Sequence, residues 1–276
     1  MRRLLAALVA APLFAGGLAV VTPAAPAEAG QLVKVRLHRA VRNLPVAAET
    51  RAGYDRDKFR HWVDADSDCR DTRDEVLAME SRVAVRGCDV RKGKWRSYYD
   101  RRTYIWSSKL DIDHLVPLAE AWDSGAKRWN ADTRQRFAND LVDRRSLVAV
   151  TASVNRSKSD QDPAEWLPQY GKCRYVREWT AVKIRWSLKV NRAEKRALVR
   201  RASSCRNVMV RVSKAVIGTG STSTGGSTGG STGGTDPRFD YCYQANAAGY
   251  GNYVRGQDEE YYWYEDRDGD GRVCEF

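Results

Sequence analysis

The sequence predicts an α+β protein made of two unequal parts, and three observations predict it. Leu147-Val-Ala-Val150 is an apolar run with the length and β-branched content of a buried strand. Tyr175, Trp179, Val182 and Trp186 recur at helical spacing, so one stripe of a helix turns inward. Residues Gly218 to Thr235 contain only Gly, Ser and Thr, the composition of a flexible linker, and a short acidic tail follows.

In chain order, Arg2-Arg3, an apolar run from Leu4 to Val21 and Ala27-Glu28-Ala29 form a secretory signal peptide over residues 1–29. No later stretch is apolar enough to span a bilayer, so the mature chain is expected to be soluble outside the cytoplasm. Residues 36–80 read as helical: Phe59 and Trp62 stand three apart, and the acids of Asp71-Thr-Arg-Asp-Glu75 precede Val76-Leu77. His61 is expected on the surface or partly packed. From Ser81 to Trp106 the pattern is extended, with Val83 and Val85, then Trp95, Ser97 and Tyr99 at period two, joined across Lys92-Gly93. Beyond Pro117 a helix covers Leu118 to Trp122 and Gly125 stops it; another runs from about Asp132 to Leu141. Thr151 or Ser153 caps the helix after the apolar strand, and Asp162-Pro163 opens a turn. On the helix with the aromatic stripe, Arg174, Arg177, Lys183, Arg185 and Lys189 are expected on the other, solvated surface. Asn191 with Glu194 has the form of a capping box.

Six cysteines agree with an oxidising compartment, and none lies in a C-x-x-C, which argues against zinc. The segmentation of the chain favours neighbours as disulfides: Cys69 with Cys88, Cys173 with Cys205, Cys242 with Cys274. Charge is uneven. The total is +12, residues 1–29 carry +1 and residues 236–276 carry −6, which leaves +17 in the segment between. Such a field attracts polyanions, nucleic acid or an anionic envelope polymer alike.

The chemistry concentrates between Asp111 and Asp160, which opens with Asp111-Ile-Asp-His-Leu-Val-Pro117 and closes with Asn155-Arg-Ser-Lys-Ser-Asp160. Hydrolysis of a phosphodiester needs an activated water and neutralisation of charge on oxygen. His114 supplies a base near neutral pH. Asp113 and Asn155 supply the oxygen ligands that a hard cation such as Mg²⁺ prefers. Alternation along a strand separates Asp113 from His114, so the strand is expected to twist or bulge near Pro117 for both to serve one site. Asp111 is either a partner of the site or a solvated acid.

This arrangement resembles the HNH endonucleases of the ββα-metal fold. The longer pattern, Asp111 to Trp122, Phe137-Ala-Asn-Asp140 and Asn155 to Trp166, is similar to secreted bacterial HNH-family nucleases related to the nuclease portion of modification-dependent restriction enzymes. The resemblance implies a nuclease domain over residues 30–217, with Asp113 and Asn155 as ligands of Mg²⁺ or Mn²⁺ and His114 as general base. It also implies Lys158 near the scissile phosphate, a position that by itself reads rather as solvated surface, and DNA as substrate. The family's middle asparagine, which steadies the histidine, lacks a clean match, because Ser146 precedes Leu147; Asn139 is the candidate for that role.

In the tail, Asp266-Arg-Asp-Gly-Asp-Gly271 spaces carboxylates as in the first half of an EF-hand loop. With Cys242 and Cys274, residues 236–276 resemble the excalibur calcium-binding module. The resemblance implies Ca²⁺ held by Asp266, Asp268, Asp270 and Glu275; an acidic turn held by a disulfide is the other reading. For the whole chain two functions stand: a secreted metal-dependent endonuclease, or a non-catalytic binding protein for DNA or anionic envelope polymer that associates with the cell envelope.

Overall fold

The computed structural model describes residues 31–219, together with 242, 245, 251, 253–264 and 271–274. The predicted signal peptide, the linker beyond Thr219 and the proposed calcium ligands Asp266, Asp268, Asp270 and Glu275 lie outside the described residues.

The architecture is α+β, built from helices and four two-stranded sheets among the described residues. The element that positions everything else is an antiparallel pair, β4 (Leu110–His114) and β5 (Leu147–Thr151), in unbroken register from Leu110↔Thr151 to His114↔Leu147. Helix α5 (Ala152–Lys158) follows β5 without a loop. Between the two strands lie α3 (Leu118–Asp123) and α4 (Ala131–Ala138).

All five residues of β5 are buried because the pair is covered on both faces. Val148 and Val150, opposite Asp113 and Asp111, enter the larger core with Trp122, Phe137, Trp179 and Trp186. Leu110, Ile112, Leu147 and Ala149 enter a second core with Val76 and Leu77 of α2 (Thr72–Glu80) and Trp95 of β2 (Lys92–Arg96). The larger core is completed by α6 (Lys172–Arg185), α7 (Arg192–Ser203) and α1 (Leu37–Asn43). The outer pair of β1 (Leu32–Arg36) and β6 (Met209–Ser213) brings the two ends of this domain together.

The predicted capping box forms: Asn191 accepts from the Glu194 amide, and the Glu194 carboxylate accepts from the Asn191 amide. The aromatic stripe of α6 is buried as expected. Lys183 and Arg185, expected on its solvated side, are buried instead. Lys183 Nζ donates to Ser124 Oγ (3.0 Å) and to the carbonyl of Lys189 (2.9 Å) and pairs with Glu120 and Glu194. Arg185 forks onto Asp140 (2.6 and 2.9 Å). Their acidic partners stand 11 to 63 residues away, outside α6, so no pattern within the helix places these cations inside.

Other differences have local causes. Residues 44–71 are mostly irregular rather than helical, with one 3₁₀ turn at Arg56–Lys58. The first hairpin pairs β2 with β3 (Thr103–Trp106) and turns near Arg101, at φ +63°, not at Lys92-Gly93. Gly93 is needed for a different reason: a Cβ there would stand 2.5 Å from the Trp95 ring. Thr151 occupies the N-cap of α5 but makes no capping bond. Past β6, Gly218 still pairs with Asn130 and Thr133, and Thr219 bridges to Trp129.

The three disulfides join the expected neighbours, Cys69–Cys88, Cys173–Cys205 and Cys242–Cys274. In the tail, Cys242–Cys274 borders a small cluster of Tyr253, Tyr261 and Val273, under the short pair β7 (Tyr253–Val254) and β8 (Arg272–Val273). No helix among the described residues is long and apolar enough to cross a membrane.

Candidate active site at the central strand pair

Strand alternation sends Asp111 and Asp113 toward α5, whose Asn155 and Lys158 stand one turn apart on the facing side. Each acid meets one of them. Asn155 Nδ2 approaches Asp111 Oδ2 at 3.4 Å, where Arg156 also pairs with Asp111 at 3.5 Å. Lys158 Nζ donates to Asp113 Oδ1 at 2.7 Å and to the His114 carbonyl at 3.1 Å. Tyr99 donates its hydroxyl to Asp113 Oδ2 at 2.5 Å. Asp113, Tyr99 and Lys158 are all buried, with Lys158 fully so, which excludes the solvated-surface reading of that lysine. Burial pushes the Asp113 carboxyl up and the Lys158 ammonium down, and each charge draws the other back.

The strand neither bulges nor breaks before His114, so the expected distortion is absent and the imidazole leaves on the opposite face from Asp113. His114 Nε2 lies 2.8 Å from the Ala138 carbonyl. A carbonyl only accepts, so Nε2 carries the proton and Nδ1 holds the lone pair. Burial drives the ring's pKa down to about 3, with the nearby Arg56, His61 and Lys158 charges acting in the same direction. The ring is therefore neutral near pH 7.

Around it the loop at 60–63 is fastened by Asn139. This side chain accepts from the Val63 amide (3.2 Å) and the Thr72 hydroxyl (2.8 Å), and it donates to the carbonyls of Arg60 and Gln135. The fastening holds Trp62 at φ +60°. That is a left-handed conformation costing roughly 1–2 kcal/mol for a bulky residue. The indole lies on the His114 ring, centroids 5.4 Å apart, and His61 stands edge-on at 6.4 Å. Sequence reasoning missed Tyr99, His61 and Trp62 as neighbours of the motif. They reach it from 14 to 53 residues away, and only the β2–β3 hairpin and the loop before α2 bring them in.

As donors for a hard cation, Asp113 and Asn155 fit by chemistry. A carboxylate has about four lone-pair sites, and two on Asp113 are used; the Asn155 side-chain oxygen Oδ1 has no partner among the described contacts.

A strand pair followed at once by a helix, in a disulfide-linked α+β domain, is the setting in which the comparisons with known proteins fall. Residues 70–201 match the family described as GmrSD restriction endonucleases, C-terminal domain, and residues 239–275 match the Excalibur calcium-binding domain. The chain thus carries one segment similar to a nuclease-related domain and one similar to a calcium-binding domain.

An uncharacterized secreted protein of Arthroderma benhamiae (strain ATCC MYA-4681 / CBS 112371) is 45% identical over 157 residues, covering 55% of this chain and 76% of that protein. The chain belongs to the same family as this secreted fungal protein. With its disulfides, it is an extracellular protein. No solved structure matches it.

Proposed function

We propose that this protein is a secreted endonuclease of the ββα-metal (HNH) type that hydrolyses phosphodiester bonds of DNA. The observation that carries the reading is the His114 imidazole: neutral, with its proton held by the Ala138 carbonyl and its Nδ1 lone pair left to accept one from water. A ring with so low a pKa is a weak base in isolation. A bound phosphodiester anion beside it favours the charged form and raises its basicity. Trp62 and the Asn139 fastening keep the ring in one orientation, so Asn139 takes the steadying part.

Asp113 and Asn155 would hold Mg²⁺ or Mn²⁺ on the α5 side, which would supply neutralisation of charge on the phosphate and leaving oxygens; His114 leaves the other face of the regular strand, so one phosphate reaches both only if β4 twists near Pro117. Lys158, buried against Asp113, fixes that carboxylate in the face toward α5. In the tail, Asp266, Asp268, Asp270 and Glu275 hold Ca²⁺, a reading supported by the Excalibur match. The domain boundaries we adopt are a signal peptide over 1–29, the nuclease over 30–217, a linker over 218–235 and the calcium module over 236–276.

One observation favours a second reading. Asp113 already accepts from both Tyr99 and Lys158, as a carboxylate retained for structure would, and a protein that only binds DNA or an anionic envelope polymer needs no metal there. Plasmid cleavage separates the two. The mature protein is expected to nick or linearise supercoiled plasmid with Mg²⁺ or Mn²⁺ and not with chelator, and His114→Ala to lose at least ~10²-fold in rate. Equal cleavage by His114→Ala, or salt-dependent retardation with no cleavage under any metal, sinks the hydrolytic reading.

A further inference from the structure

Two grooves, one beside β5 and one beside β6, share one arginine. The first, of about 270 Å³, is lined by Arg82, Arg96, Arg144 and Arg174 over a floor that includes Val76 and Leu147. The second, of about 630 Å³, is lined by Arg144 again, with Arg177 and Arg211. Arg82, Arg96, Arg144 and Arg211 are exposed, and none forms an ion pair or side-chain hydrogen bond among the described residues. Each guanidinium therefore offers a planar fork of donors matched to phosphate oxygens.

The acids nearby do not cancel this charge. Asp140 is taken by Arg185, Trp186 and Ser146 and Asp143 by Arg145, which leaves Glu80, held by the Ala149 amide, against the four arginines of the first groove. Arg174 is held in place, stacked 4.0 Å over the Tyr98 ring and paired with Glu178 at 2.8 Å.

Leu147 ties the grooves to the candidate site. It lines the first groove and is the cross-strand partner of His114, so both side chains leave the same face of the pair. The first groove thus borders the strand that pairs with the histidine's own. We propose that this arginine track seats the phosphodiester backbone of the nucleic acid flanking the bond that is cut. The proposal rests on the reading that the chain acts on nucleic acid. Duplex DNA, with one charge per ~1.7 Å of axis, has the density to engage several guanidiniums within one groove.

The test is fluorescence anisotropy of the full secreted chain, carrying His114→Ala to prevent cutting, with a labelled duplex from 50 to 200 mM salt. Against that parent, Arg82→Gln/Arg144→Gln is expected to weaken binding. It should reduce the slope of log affinity against log salt by about 1.8, or ~0.9 per lost phosphate contact. Arg200→Gln/Arg206→Gln removes the same charge from exposed positions outside both grooves and is expected to keep the parent slope.

An unchanged slope in the track variant, an equal loss in the control, or no duplex binding by the parent overturns the track. So does a track variant that loses binding to poly(glycerol phosphate) while retaining the duplex, which transfers the grooves to an envelope polymer. Plasmid cleavage by the wild type is scored separately. Cleavage that needs His114, with an unchanged slope, removes the track and leaves the nuclease; a reduced slope without cleavage does the reverse.

Discussion

Lys158 and Asp113 form an ion pair from which water is excluded, so the energetics of the two side chains are not separable. Removing one partner strands the other's charge, at a cost of about 3–5 kcal/mol, whereas neutralising both is far cheaper. Lys158→Met is therefore expected to lower the urea midpoint markedly, and Lys158→Met/Asp113→Asn to recover most of the loss. If the double variant is as unstable as the single one, the pair is not the source. The same experiment bears on the site. Measured on the same variants, a lysine acting through Asp113 alone loses stability and metal affinity together, while one that also acts on the phosphate loses cleavage rate beyond what the weaker metal binding explains.

At the scale of elements, α2 ends on the open edge of β5. Glu80, its last residue, accepts the Ala149 amide at 3.2 Å, and burial pushes its pKa up to about 7 against the hydrogen bond and the Arg174 and Arg144 charges. The folded state thus binds this proton more tightly than the unfolded chain does. Stability from it is complete below pH 4.5 and is lost as pH rises to about 7. Glu80→Gln, which keeps an accepting oxygen without the charge, is expected to melt higher than wild type at pH 8 and close to it at pH 4. A difference of the same size at both pH values counts against titration of Glu80. Burial raises the Glu120 pKa against the Lys183 charge, with Glu194 adding to the rise, and this contributes to the alkaline loss in the same direction.

For the whole molecule, charge and cross-links divide the labour. The basic segment folds around two cores large enough to be stable, and Cys173–Cys205, 32 residues apart, adds about 4 kcal/mol in the chain-entropy account. The tail's described core is only Tyr253, Tyr261, Val273 and Cys274 with partly buried Cys242 and Tyr264, which needs a staple or a metal. Calorimetry of the full chain is expected to show a minor transition that chelation lowers and Ca²⁺ restores, with the main transition unmoved. A trace identical with and without Ca²⁺ removes the metal from the tail's stability.

The sequence by itself determined the secreted, disulfide-linked character, the pairing of the cysteines, the β5 strand with its following helix, the capping box of α7 and the residues of the motif. These follow from composition and from patterns spanning a few residues, where local chemistry is enough. The tertiary structure alone decided the rest. Lys158, Lys183 and Arg185 carry no local sign of being buried, because the acids that pay their desolvation come from other elements. Tyr99, Trp62 and His61 likewise join the motif only through long-range packing. Even the split of Asp113 from His114 onto two faces depended on whether the strand stayed regular, and its full pairing with β5 keeps it so.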